Sequence, residues 1–211
     1  MTDAGYFAPR TLDDAVKAFA AAAAGSARVM AGGTDLLVQM RAGVVRPGLI
    51  IDIKRIEAMS EIAELPDGGF RIGAAVSGAV LAEHPRFGKV WPGVLEAVNL
   101  IGSKQVQGRA SPGGNLCNAS PAADSVPAMV AAGAVVTVQG PEGRRDMPVE
   151  AVPAGPGRTS LKPGEIVVSF TLPPRPKGSG DAYLRMIPRT EMDIAVVGCG
   201  VSLTLSGGKV T

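Results

Sequence analysis

Aromatic side chains make up only 4% of the 211 residues, cysteine occurs twice and histidine once. So low an aromatic content argues against a base-stacking surface for nucleic acid. Cys117, Cys199 and His84 stand apart in the sequence and are too few to hold a zinc or iron–sulfur centre. Two isolated cysteines fit a reducing compartment better than a disulfide scaffold. Net charge is also scarce: 21 basic against 19 acidic residues leave +2, too little to capture nucleic acid or an anionic membrane. The longest largely apolar stretch, Val126–Val138, is too short to span a bilayer. The alanine-rich segment Ala18–Ala27 follows Asp3, Pro9, Asp13 and Asp14 rather than the basic leader of a signal peptide. The expected location is the cytoplasm. No Walker A sequence is present, and no cysteine or serine stands in a nucleophile motif with a base.

Glycine, in contrast, is abundant, at 28 residues, about twice the usual share. Such an excess points to tight turns or to close approach of backbone and ligand. The pattern of Thr11–Ala24 predicts a helix with Thr11 as N-cap and Gly25 as stop. "ARVMAGG" predicts a strand running into a glycine turn, "TDLLVQMRAG" a helix capped by Thr34, and "GLIIDIKRI" a buried strand. The first 55 residues thus read as a small α/β unit with parallel pairing. Beyond them "GFRIG" predicts a strand, "WPGVLEAVNLIG" and "DSVPAMVAAGA" helices, "VVTVQGPEGRRDMPVE" a hairpin, and "GEIVVSFTLPP" a further strand. The Pro- and Gly-rich segment 173–180 marks a boundary. After it come one or two strands, too few residues for a domain of their own.

Two stretches carry the chemistry. In "AGGTDL", residues 31–36, glycines between a strand and a helix free several backbone N–H groups to bind phosphate, with Thr34 as a further donor. A simple tight turn is the competing reading. "SPGGN", residues 111–115, reads as a second such loop. Two loops of this kind suit a ligand with two phosphates, a dinucleotide held without a Rossmann fingerprint. "VVGCGVSL", residues 196–203, lacks the third glycine and the following helix of that fingerprint. Asp124 either accepts hydrogen bonds from a ligand or caps the helix beginning at Ser125. Lys104, Arg109 and Arg185 can neutralise phosphate or can be solvated charges. His84 reads as a helix-end residue, Cys199 as a core residue, and Cys117 as lying near the ligand.

Taken together, "AGGTDLLVQMR" and "SPGGNLCNASPAADSVPA" resemble the FAD-binding subunit of the molybdenum hydroxylases, a family that includes the carbon monoxide dehydrogenase medium subunit and the xanthine dehydrogenase flavin domain. "YFAPRTLDDAVKAF" is similar to the family's start and "EMDIAVVGCGVSL" to the start of its C-terminal domain, so the resemblance runs along the whole chain. It implies an α+β, two-subdomain vanillyl-alcohol-oxidase-type FAD-binding fold. The subdomains would be residues 1–55 and 56–177, and residues 178–211 would begin a C-terminal α+β domain that runs past Thr211 in relatives, so a truncated chain is expected.

The resemblance also implies a cofactor site. Met30, Ala31, Gly32, Gly33, Thr34, Asp35 and Leu36 would wrap the FAD pyrophosphate, and Ser111, Gly113, Gly114 and Asn115 would bind it from the other subdomain. Asp124 would bond the flavin or ribityl part; Val167, Arg185 and Ile101 would line the site, and Ile194 would lie beside the isoalloxazine. The implied role is electron transfer from [2Fe–2S] clusters on a small subunit to an external acceptor, with a molybdopterin cofactor on a large subunit. The assembly would be a dimer of heterotrimers. A stand-alone flavin oxidoreductase of the same fold is the alternative. Two departures stand out: Ser111-Pro112 replaces the family's Thr-Ile, and Gln107-Gly108 replaces its Arg-Asn. Proline lacks an N–H, so one phosphate contact is expected to be lost.

Overall fold

Thr11 opens the first helix as expected: its hydroxyl oxygen accepts from the Asp14 N–H at 3.2 Å, and Asp13 and Asp14 occupy the electropositive first turn. This helix, α1 (Leu12–Ala21), buries Ala15 and Val16. The computed structural model describes residues 4–190 and 192–210. Around α1 a three-stranded parallel sheet forms in the order β1 (Gly5–Phe7), β3 (Leu49–Asp52), β2 (Ala27–Met30). The predicted helix between β2 and β3 is present as α2 (Leu36–Arg41), and none of its side chains is fully buried. Thr34 does not cap it; Asp35 holds the N-cap position without a side-chain hydrogen bond. Strand β1 was not predicted, because three residues carry no periodicity and depend on β3 for their pairing.

A 3-10 turn, Ile53–Arg55, and helix α3 (Glu57–Ser60) lead into a five-stranded antiparallel sheet. Its strands are β4 (Ile62–Glu64), β5 (Phe70–Gly73), β6 (Val135–Gly140), β7 (Gly143–Pro148) and β10 (Ile166–Leu172), ordered β4-β5-β10-β6-β7. The apolar run of β10 sits at the centre and is buried on both faces. Between β5 and β6 lie α4 (Gly78–Glu83), α5 (Phe87–Val90), α6 (Pro92–Val98), α7 (Lys104–Gln107), α8 (Pro112–Asn118) and α9 (Ser125–Ala131). A small hairpin, β8 (Pro153–Gly155) with β9 (Arg158–Thr159), precedes β10. One buried cluster runs from Val16 and Ile51 through Phe70, Ile72, Val167 and Phe170 to Tyr183.

The last sheet, β11 (Ser179–Met186), β12 (Val197–Ser206) and β13 (Lys209–Val210), packs one face on α6 and α9. Glycines make this approach possible. A Cβ on Gly200 would lie 2.5 Å from the Pro127 carbonyl oxygen at the start of α9, and one on Gly198 would lie 2.3 Å from the Tyr183 hydroxyl. The G-x-G of "VVGCGVSL" is therefore a packing device. Alternation along β12 turns Val197, Cys199, Val201, Leu203 and Leu205 to the opposite face, where they are exposed. Cys199 is thus a surface residue, not the core residue its apolar neighbours suggest. Among the described residues no helix is long and apolar enough to cross a membrane.

Candidate functional site

Strands β2 and β3 are parallel and in register, Met30 opposite Asp52, so both chains leave the sheet at the same edge. There the glycine turn 31–36 begins. Its backbone N–H groups, from Gly32 to Leu36, find no acceptor among the described residues, an unusual run of unpaired donors. Gly33 takes φ +77, a conformation that side chains resist, and the Gly32 Cα is pressed against Arg109 and Ala110. This contact brings the turn to the second glycine stretch.

That second stretch is not a flexible loop. Ser111 caps helix α8, its hydroxyl oxygen accepting from the Gly114 N–H at 3.1 Å, and Pro112 occupies the first helical position. A helix has no intrahelical use for the N–H at that position, so the proline fits and starts the helix with its φ already set. The expected loop is corrected to a capped helix, hidden in the sequence by two adjacent glycines of low helix propensity. The two glycines differ. A Cβ on Gly113 would stand 2.4 Å from the Ala74 carbonyl oxygen, so this glycine lets α8 pack on the end of β5. A Cβ on Gly114 would meet only the Ser111 hydroxyl, at 3.3 Å.

Between turn and helix lie two adjoining clefts. The first, of about 460 Å³, is walled by α1 and its exit, by β2, by Gly113 and Gly114, and by residues 159–167, including Val167. The second, of about 380 Å³, is lined by residues 28–36 together with Gln39, Gly114, Cys117 and Gly157. Arg28, Val29, Ala31, Gly114 and Cys117 border both. The Arg28 guanidinium donates to the carbonyls of Gly25 and Ala27 at 3.1 Å each. Burial against the wall pushes the Cys117 thiol up to about 12, although part of its surface is open, so it stays a neutral thiol. At the far wall of the first cleft, Glu165 is gripped by both arms of Arg145 at 2.8 Å, which holds its carboxyl below the usual range. The turn, with its unpaired N–H donors, lines the second cleft. In that turn Asp35 is raised by its partial enclosure.

The remaining candidates lie outside the cleft walls. Asn115 accepts from the Ser125 N–H at 3.2 Å and the Ser125 hydroxyl at 2.6 Å, joining α8 to α9. Asp124 does not cap α9 through its side chain; its oxygens accept from the Tyr183 hydroxyl at 3.0 Å and from Arg185 at 2.9 Å. Ile101 is half-buried, and its carbonyl and that of Asn99 accept from the Gln107 side chain at 3.3 and 2.6 Å. Ile194 is 74% exposed beyond β11.

Sequence reasoning missed Lys54. Its ammonium lies 2.7 Å from the Ala31 carbonyl oxygen and 2.8 Å from Asp52 Oδ1, while the Tyr6 hydroxyl donates to Asp52 Oδ2 at 2.6 Å. Burial pushes the Asp52 carboxyl up, but the hydrogen bonds from Lys54 and Tyr6 together outweigh it and hold it below its ordinary value. The signal available was position: two residues past a parallel strand whose partner ends in the glycine turn. Among the described residues no group of three or more His, Cys, Asp or Glu side chains is placed to hold a metal ion.

Comparison with known proteins shows the family and its fold. The family described as the FAD binding domain in molybdopterin dehydrogenase matches residues 2–175. The xanthine dehydrogenase FAD-binding subunit of Escherichia coli O157:H7 is 34% identical over 98% of this chain and 70% of its own length. The carbon monoxide dehydrogenase medium chain of Hydrogenophaga pseudoflava is 32% identical over 98% of this chain and 71% of its own. In structure, carbon monoxide dehydrogenase from the same organism superposes with a TM-score of 0.93 at 31% identity, covering 99% of this chain and 71% of that one.

Proposed function

This chain belongs to the family of FAD binding domains of molybdopterin dehydrogenases, and from that premise we propose that it is the FAD-binding electron-transfer subunit of a multi-subunit molybdenum hydroxylase. Its partners would be a large molybdopterin-binding subunit and a small [2Fe–2S] subunit. FAD supplies the redox chemistry, accepting electrons delivered by a partner's [2Fe–2S] clusters and passing them to an external acceptor. The protein's own part is to bind, orient and shield.

The observation that carries this reading is the unbroken run of unpaired N–H donors from Gly32 to Leu36, lining a cleft also bordered by Gly114. Backbone donors of this kind suit a pyrophosphate. The pyrophosphate would lie across residues 30–36 and the start of α8, where Ser111, Gly113 and Gly114 keep the helix close and free of bulk. Val167 would contact the cofactor from the wall of the first cleft. Asn115, Asp124, Arg185 and Ile101 would act from behind the cleft wall, fixing the elements that form it. Ile194 would approach the ring from the segment after β11. Relatives named for xanthine, carbon monoxide and nicotinate match this chain in sequence, which supports leaving substrate choice to the molybdenum subunit.

The purified chain should take up FAD and absorb at about 450 nm, a flavin property. Gly114→Ala should keep its fold, since the new methyl meets one hydroxyl and helix propensity improves by about 1 kcal/mol. Gly114→Phe should keep the fold and lose FAD, because the ring enters the clefts. Yellow Gly114→Phe protein would remove α8 from the site. Alkylation mapped by mass spectrometry offers an independent check: FAD should protect Cys117, which borders both clefts, and leave exposed Cys199 reactive. Because the neutral Cys117 thiol reacts slowly, labelling is followed until it is measurable without FAD, and Cys117 labelling that FAD then leaves unchanged would place the cofactor elsewhere.

A further inference from the structure

We propose that Lys54 is a positioning residue for the cofactor turn, aiming the N–H donors of residues 32–36 through the Ala31–Gly32 peptide. The inference rests on the assignment of that turn to the FAD pyrophosphate. Its basis is a chain of contacts anchored in the parallel sheet. Asp52 ends β3 with its side chain only 7% exposed, and each of its oxygens is engaged. Oδ2 accepts from Tyr6, next to the end of β1, and Oδ1 accepts from both the backbone and the ammonium of Lys54. With its carboxylate partner fixed in this way, the ammonium has one further hydrogen-bond contact among the described residues, the Ala31 carbonyl oxygen at 2.7 Å.

That carbonyl belongs to the same rigid unit as the first unpaired donor. The Ala31–Gly32 peptide is trans, so its C=O and N–H point in opposite directions. Holding the oxygen on the Lys54 side therefore sets the Gly32 N–H to face away from it, and the following donors are reached from that starting plane. A cation on the oxygen also polarises the amide, making the N–H a stronger donor. Lys54 thus delivers positive charge to the anion site through a peptide group rather than by direct contact. Without the ammonium, a rotation of one peptide would turn a donor away and present a carbonyl oxygen to a phosphate.

The test compares FAD with riboflavin, which carries the ring and ribityl chain but no phosphate, in fluorescence titrations of the whole chain. Lys54→Met should weaken FAD binding by about tenfold to a hundredfold, the worth of a charge-assisted hydrogen bond, and riboflavin binding by less than about threefold on the same scale. Lys54→Arg, which can reach the same carbonyl, should recover most of the loss. In the FAD-free protein, Lys54→Met should move the Gly32 amide proton resonance upfield as polarisation is lost. Unchanged FAD affinity in Lys54→Met would overturn the inference, as would equal losses for FAD and riboflavin accompanied by a lowered melting temperature. Failure of the wild-type chain to bind FAD at all would instead overturn the cofactor assignment on which the inference rests.

Discussion

Gly32→Ala is expected to abolish FAD retention, although it adds a single methyl group. The backbone at Gly32 has an ordinary negative φ, so conformational strain is not the reason. A Cβ there would lie 2.0 Å from the Arg109 carbonyl oxygen, 2.5 Å from its carbon and 3.0 Å from the Ala110 nitrogen. Those atoms are backbone and cannot rotate aside. They are also tied down: the Ala110 N–H donates to Val106 at 2.7 Å, and the Ala110 carbonyl accepts from Gly78 at 2.9 Å. The turn 31–36 must therefore retreat, by about 1.5 Å for a normal contact. It carries its N–H donors away from α8 as it goes. Overpacking of this kind costs about 1–3 kcal/mol, so the variant should still fold, melting several degrees lower at about 2–4 °C per kcal/mol. Its FAD affinity should fall by at least about a hundredfold, because phosphate contacts tolerate little displacement. Absorbance of the purified variant and a titration with FAD measure this directly. A Gly32→Ala protein that stays yellow would show that the apposition of the two stretches is not what builds the site.

The same contact explains what could be read from the sequence and what could not. Local signals were legible. The Thr11 cap, the β6–β7 turn and the apolar run of β10 each announce an element through nearby residues, whereas α1 ends at Ala21 with Ala22 as its C-cap, so Gly25 is not its stop and serves the turn into β2. The glycine turn after β2 was legible as a turn between strand and helix because strand, glycine and helix follow one another within a few residues. Helix α8 was not legible, since Gly113 and Gly114 are poor helix formers chosen for what they touch, Ala74 in one case and the clefts in the other. The position of Pro112 becomes intelligible only once Ser111 is seen as a cap. Long-range partnerships were silent as well. Lys54 meets Ala31 because β2 and β3 run parallel in one register. The glycines of "VVGCGVSL" serve Pro127 and Tyr183, which no reading of a cofactor motif would supply. Cys199 faces outward because of strand alternation against α9, a matter of which face is covered.

Asp124→Ala should produce the largest loss of stability of any single change at the site, and it should do so in the protein without FAD. Asp124 and Arg185 lie 2.9 Å apart with side chains only 10% and 8% exposed, and the Tyr183 hydroxyl donates to the other carboxylate oxygen. The three groups tie the start of α9 to β11 across a span of about 60 residues. Removing the carboxylate strands a guanidinium and a phenol away from water. Breaking one half of a buried pair costs about 3–5 kcal/mol, which at about 2–4 °C per kcal/mol is a drop in melting temperature on the order of 10 °C. Asp124→Asn keeps an acceptor for Tyr183 but no charge for Arg185, so an intermediate loss is expected. The double variant Asp124→Ala with Arg185→Met should regain part of the loss of Asp124→Ala, since no charge is then left unpaired. If instead Asp124→Ala melts like the wild type and only the flavin affinity falls, the carboxylate serves the ligand alone. The dependence of melting temperature on added FAD separates the two cases. Loss of a structural Asp124 lowers the melting temperature at every FAD concentration, whereas loss of a residue that only contacts FAD would lower only the increment that FAD provides.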